Sequence, residues 1–274
     1  MSKKQLFLIL QTVLLLAATE ALVLSAAARL RSADILVGSG TTLELSAPRL
    51  IFSFLLSTAV LFFLIRKLRR RVVFEAIFGL SILIGLWALL ELYLPQEALF
   101  LALGLIALRY LFPLIIAQNV IMLGGIAGIA ASLGSVIAWE SMAVVLIILG
   151  LYDVIAVYGT HHMVTMFKGL LDKGVIFALI LPERPRWFFK KLRAVTPGEG
   201  FFFLGTGDLA LPAVFVAAAA REGFWFGVGA AAGSLLGLLG TDLLFQLGHR
   251  RPLPALPSIV LGTLAGFGVI RLLS

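Results

Sequence analysis

Residues 141–158 read SMAVVLIILGLYDVIAVY, an apolar run whose one charge, Asp153, stands close to its C-terminal end. A bilayer core of ~30 Å takes about 20 mostly apolar residues as a helix, so this stretch is close to spanning length. The chain around it repeats the pattern. Similar runs fall at about 5–28, 50–65, 73–94, 97–116, 119–138, 201–220, 224–247 and 257–273. With 141–158 they make nine candidate spans, and the whole 274 residues are 61% hydrophobic and 13% charged, with mean hydropathy +1.09. A soluble domain is roughly half apolar and a quarter charged, so lipid is the expected solvent for most of this chain. Long uniform runs fit helices better than the alternation of barrel strands, because backbone groups in lipid must be satisfied internally. The expected fold is an all-α polytopic membrane protein of nine transmembrane helices.

The net charge of +8 invites a nucleic-acid partner until the basic residues are placed. With a cytoplasmic N-terminus, the inner set holds Lys3, Lys4, the run from Arg66 to Arg71, Arg109, the cluster from Lys168 to Arg193, Arg250 and Arg251. That is 17 of the 22 basic residues, leaving Arg29, Arg31, Arg49, Arg221 and Arg271 outside. The positive-inside rule then sets the N-terminus cytoplasmic and the C-terminus outside. Topology accounts for the charge, and no nucleic acid is expected. Residues 1–274 read as a single membrane domain at the cell membrane. Spans one to six occupy 1–158, a cytoplasmic loop 159–200, and spans seven to nine 201–274. The opening apolar run lacks a clear cleavage site and reads as an uncleaved first span. Within the loop, Val175 to Leu181 is too short to cross and reads as a strand or an interfacial segment. Gly229, Gly233 and Gly237 form a flat face on span eight for close helix packing. Cys is absent, which excludes disulfides, thiolate chemistry and Cys-ligated metals.

Ionisable groups inside a membrane are costly and mark functional candidates. Asp153 lies about five residues before the inner end of span six, roughly 8 Å in at 1.5 Å per residue. Asp208, about seven residues into the oppositely running span seven, reaches roughly 11 Å from the same side. The two carboxyls can face one another, and in a low-dielectric site one keeps its proton while the other is charged. Such a pair titrates as a unit, so the protonated member is not assigned. Gly205-Thr206-Gly207-Asp208 places two glycines where a helix prefers neither, allowing close backbone approach. Tyr152 precedes Asp153 and can donate a hydrogen bond. Pro254-Ala255-Leu256, followed by Pro257, holds the chain extended before span nine and leaves carbonyls and amides exposed near the acids.

In this order and on these spans, the Tyr152-Asp153, Gly205-to-Asp208 and Pro254-to-Leu256 motifs resemble those of the presenilin and signal peptide peptidase family, most of all its microbial members. The motifs begin at about residue 141, and the N-terminal half matches by layout alone. The resemblance implies a presenilin-like fold and an intramembrane aspartyl endopeptidase with Asp153 and Asp208 catalytic. It implies Tyr152, Gly205, Thr206 and Gly207 in support, and Pro254, Ala255 and Leu256 at the substrate. Thr206 fills the variable position of Gly-x-Gly-Asp, where the family suggests an influence on cleavage preference. Substrates would be transmembrane helices of type II-like membrane proteins or signal-peptide remnants within the lipid bilayer. No metal or other cofactor is implied, and the sequence leaves a homo-oligomer open. The loop holds no obvious autocleavage segment, so an unprocessed chain is expected.

The expected chemistry is hydrolysis within a helix that must first unwind, its scissile region held as a strand against Val175 to Leu181 or Phe201 to Leu204. The alternative is a proton- or cation-coupled transporter using the same carboxylates, although inverted repeats are not evident. A prepilin-peptidase-like enzyme would share Gly-x-Gly-Asp but lack Pro-Ala-Leu. Of the other acids, Asp242 is expected to pair with Arg250 and Arg251, Glu75 to answer the run at Arg66 to Arg71, and Glu20 to hydrogen-bond a neighbouring helix. His161 and His162 diverge by ~100° on a helix and read as a solvated loop start rather than a metal site. The Arg66-to-Arg71 run reads as a topological signal before a lipid-headgroup patch.

Overall fold

In the computed structural model the described residues are 3–32, 47–67, 71–159, 176, 178–196, 199–247 and 254–274. Among them nine α-helices follow the nine apolar runs: α1 Lys3–Ser32, α2 Ala47–Lys67, α3 Arg71–Glu91, α4 Ala98–Leu111, α5 Ile115–Val136, α6 Trp139–Val154, α7 Thr206–Glu222, α8 Phe224–Leu247 and α9 Leu256–Leu273. A π-helical turn, Ile155–Gly159, prolongs α6. Among the described residues six helices are long and apolar enough to cross a membrane by length and composition: α1, α3, α5, α6 with its π turn, α8 and α9. Large apolar side chains stand on the outside of the bundle, among them Leu151, Leu236 and Leu261, each more than 60% exposed. Water would penalise that exterior and lipid solvates it, so the chain is a multi-pass integral membrane protein.

Two expected spans come out shorter. The run at 97–116 yields α4 of only 14 residues, about 21 Å at 1.5 Å per residue. Pro113 ends it, and the joint serves another purpose: Ile115 N–H donates to the Lys190 carbonyl at 3.1 Å and Leu192 N–H to the Pro113 carbonyl at 2.7 Å. Span seven begins later than 201, because Phe201–Gly205 is a strand. It pairs antiparallel, as β2, with β1 (Ala178–Pro182), in the register Leu179 with Leu204 and Leu181 with Phe202. Of the two readings of Val175 to Leu181, the strand therefore holds over 178–181, while Ile176 is outside the strand and Val175 and Phe177 lie outside the described residues. Glu183 N–H donates to the Gly200 carbonyl at 2.9 Å beyond the paired ends. Gly200 has φ of 81°, left-handed backbone that L side chains rarely adopt, and a Cβ there would meet Trp187.

Helix α7 lies at the heart of the bundle. It packs on α5, α8 and α1, and every residue from Pro212 to Ala220 is buried. Five of those nine are alanines, which lets neighbouring helices close in, and Phe215 fills the remaining space with its ring edge-on to Phe267, centroids 5.4 Å apart. The glycine face expected on α8 is present and meets a matching one: Gly229 and Gly233 lie against the backbone of Gly266 and Gly262 on α9. A Cβ on Gly237 would stand 2.7 Å from Ile259 Cα, so these helices touch backbone to backbone. Gly85 of α3 meets Gly125 and Gly128 of α5 in the same way.

Candidate active site

Asp153 is the last residue but one of α6 proper, at the edge of the π turn, where a helix bulges and its side chains are re-aimed. Its carboxyl is buried, 9% exposed, and Oδ2 accepts a hydrogen bond from the backbone N–H of Leu256 at 3.3 Å. That donor is available for a reason found in the sequence. The first N–H groups of a helix have no intrahelical acceptor, and Leu256 is the first residue of α9; the next residue, Pro257, has no N–H to satisfy. One turn before Asp153, a Cβ on Gly150 would lie 3.7 Å from Pro257 Cα, so α6 meets the start of α9 along the flank that carries the acid.

Asp208 comes from the opposite direction. Gly205 ends β2 and is the N-cap of α7 in extended backbone, φ −62° and ψ 136°. Asp208 is therefore the third residue of its helix rather than about the seventh, a correction that follows from the strand. Its carboxylate folds back over the cap: a Cβ on Gly205 would stand 2.9 Å from Asp208 Oδ2. Gly207 is exposed, with no atom within 4 Å of where its Cβ would be. Pro212, four residues on, has no N–H to offer the Asp208 carbonyl, which leaves that acceptor without its ordinary helical partner. The Asp208 and Asp153 carboxyls lie within Coulombic reach of each other, and Asp208 retains partial exposure.

The structure thus brings together Asp153, Asp208, Gly205 and Leu256. Pro254 and Ala255 lead into this point, both partly buried, while Leu256 is 5% exposed. Tyr152 does not join them: its side chain is 39% exposed, turned away from Asp153 by the ~100° step between helical neighbours, and makes no hydrogen bond to that carboxyl. Thr206 is partly buried in the first turn of α7.

The remaining acids have local partners. Ser234 of α8 donates to Glu20 Oε1, as expected of a buried acid in span one, while Oε2 has no partner among the described residues. Asp242 accepts from Thr12 of α1, a partner the sequence did not suggest, and Arg250 and Arg251 lie outside the described residues. His161 and His162 lie outside them as well, as do the side chains of Arg66 and of residues 68–71 that Glu75 was expected to answer. Sequence reasoning also passed over Pro212 and the buried amides Gln11, Gln118 and Asn119. The available signal was an amide in an otherwise apolar helix, which in lipid demands a partner.

A family model for signal-peptide peptidase, presenilin aspartyl protease matches residues 11–274. Among solved structures, a presenilin family intramembrane aspartate protease in the C222 space group is similar to the chain, with a TM-score of 0.67 and 26% identity, covering 97% of this chain and 99% of that one. One in the P2 space group has a TM-score of 0.65 and 23% identity, covering 97% and 98%. Comparison with functionally curated proteins gives no match. A transporter finds no support in these likenesses.

Proposed function

From the chain's membership of the signal-peptide peptidase, presenilin aspartyl protease family, which makes it an intramembrane aspartic protease, we propose that Asp153 and Asp208 are its catalytic pair and that it cleaves peptide bonds within transmembrane segments. The observation that carries this is that two carboxyls from helices of opposite direction, one buried and one partly buried, come within Coulombic reach, with the Leu256 amide holding one of them.

In the reaction, the charged carboxylate takes a proton from water as its oxygen bonds to the scissile carbonyl carbon. The neutral carboxyl gives its proton to the carbonyl oxygen, forming a gem-diol. The newly neutral carboxyl then protonates the amide nitrogen while the other carboxylate takes a proton from a gem-diol hydroxyl, so the C=O re-forms as the C–N bond breaks, releasing a carboxyl and an amine with the pair returned to one shared proton. Leu256 N–H fixes the orientation of Asp153 by holding Oδ2, which leaves Oδ1 for water. Pro254 and Ala255 present further backbone to the substrate, and the open space beside Gly207 admits it. The substrate's unwound region is held as a strand on the hairpin, in line with Asp208, since β2 runs directly into α7.

The substrates in this reading are helices of type II-like membrane proteins or signal-peptide remnants, and the nine helices are all spans. The N-terminus is cytoplasmic, on the strength of 17 basic residues inside against five outside. Liposomes carrying a generic transmembrane peptide test the pair with wild type, Asp153→Ala and Asp208→Ala, with and without a transition-state-mimicking aspartyl protease inhibitor. Cleavage by uninhibited wild type alone is expected, with each variant reduced by at least about 10³-fold. Equal cleavage by either variant overturns the assignment.

A further inference from the structure

The hairpin beside the two acids turns the outer edge of β1 toward α1 and α5. Outward-facing backbone groups of β1 recur at alternate residues, and side chains from α1 and α5 meet them. Asn119 makes a two-point contact with Ile180: its Nδ2 donates to the Ile180 carbonyl at 2.8 Å and its Oδ1 accepts from the Ile180 N–H at 3.0 Å. This is the pairing a neighbouring strand would make, supplied by one amide. Two residues further on, Gln11 Nε2 of α1 donates to the Pro182 carbonyl at 3.0 Å. On the other side, Gln118 Nε2 donates to the Ile176 carbonyl at 3.2 Å. Gln118 is itself oriented, because Arg109 Nε donates to its Oε1 and commits the amide nitrogen to the hairpin. Arg109 is held in turn, its guanidinium 5.1 Å from the centre of the Phe78 ring. All three amides are buried, at 6%, 0% and 3% exposed for Gln11, Gln118 and Asn119.

Buried amides are costly unless bonded, and so are the outward backbone groups of a buried strand, so the two satisfy one another. The three, meeting residues 176, 180 and 182, stand where an added strand would pair with that edge. They also fix β1 along its own axis, because a shift of one residue would offer Asn119 the inward-facing groups of Leu179 or Leu181. Through the β1–β2 register, the position of β2 and hence of Gly205 and Asp208 is tied to α5.

We infer that Asn119, with Gln118 and Gln11, is a positioning device that holds β1 in place and, through its register with β2, sets which peptide bond of a substrate strand on the hairpin meets the acids. This rests on the protease reading above. Asn119 does not touch the reacting atoms. Its amide is the only uncharged side chain of that length carrying both a donor and an acceptor at the distances seen: aspartate keeps the acceptor for Ile180 N–H and loses the donor, while leucine fills the space and loses both.

The test uses the full chain in liposomes or detergent, as wild type, Asn119→Asp and Asn119→Leu, with two readouts. Hydrogen exchange of the 178–181 amides needs no activity, and Asn119→Leu is expected to raise exchange at Ile180 by about tenfold or more. Asn119→Asp, which keeps the acceptor, is expected to raise it less. Mass spectrometry of the products from a transmembrane peptide reads the register. Wild type is expected to favour one bond, and Asn119→Leu to spread cleavage to neighbouring bonds and lower kcat by about tenfold with smaller change in KM. A purely structural role would slow cleavage without moving the site. Unchanged exchange at Ile180 overturns the clamp; raised exchange with an unmoved cleavage site overturns its role in register. If folded wild type cleaves nothing, the protease reading falls and the register claim with it, while exchange still decides whether the clamp exists.

Discussion

Gly205→Ala is the substitution for which the structure gives a magnitude. The backbone at this position has φ −62° and ψ 136°, which alanine adopts without strain, so the fold should tolerate the change. The added methyl, however, would stand 2.9 Å from Asp208 Oδ2. Ordinary contact requires about 3.4 Å or more, so the carboxylate must retreat by roughly 0.5 Å or leave its rotamer; since ~1 Å of misplacement costs about 10²-fold in rate, kcat should fall by at least about tenfold. Gly207→Ala is the internal comparison. Nothing lies within 4 Å of its Cβ, and alanine in the first turn of a helix should stabilise it by up to ~1 kcal/mol. Its loss of activity should be smaller than that of Gly205→Ala and should fall mainly on KM, through narrowed access. Initial rates against a transmembrane peptide in liposomes, with thermal unfolding of each variant in detergent, separate these outcomes. Turnover by Gly205→Ala within twofold of wild type, or a larger kcat loss in Gly207→Ala, would refute the account of Asp208.

Two further expectations concern the bundle. Gly233→Leu places a large side chain where α8 and α9 touch backbone to backbone, and should destabilise the protein by more than ~2 kcal/mol, read from thermal unfolding in detergent. Ser234→Ala removes the partner of buried Glu20 and should cost about 1–3 kcal/mol, whereas Glu20→Gln keeps an acceptor for Ser234 and should cost less; equal melting temperatures for all three proteins would contradict the role given to that hydrogen bond.

What the sequence revealed, and what it did not, follows from the kind of signal each feature leaves. The expected bounds of span eight, 224–247, coincide with α8, because a long uniform apolar run between polar joints leaves no other solution in lipid. Asp153, Asp208 and the Pro-Ala-Leu segment were legible because charges and prolines are rare in such runs. Phe201 to Leu204 was read both as the start of span seven and as a strand edge, since four apolar residues carry no period, and the partner strand at 178–182 decides for the strand. Tyr152 was placed with Asp153 by adjacency in sequence, and helical geometry sends the two apart. Asn119 gave only the general signal of an amide in an apolar helix. Its partner is 61 residues away, and nothing local announces a contact of that range.

The alanine-rich helix α7 has a consequence for how the protein is made. Its 17 residues include Asp208 and Pro212, and its interior stretch has no face left for lipid in the finished bundle. An aspartate near the middle of a span opposes insertion by about 2.5–3.5 kcal/mol, and alanine gives little to set against it, so even near the helix end this segment is a poor candidate to leave the translocon alone. Its neighbours α5 and α1 precede it in the chain, but α8 follows it. Stable entry of the helix bearing Asp208 therefore waits for the next helix to emerge from the ribosome, and the pair of acids is assembled only after most of the membrane domain has been synthesised.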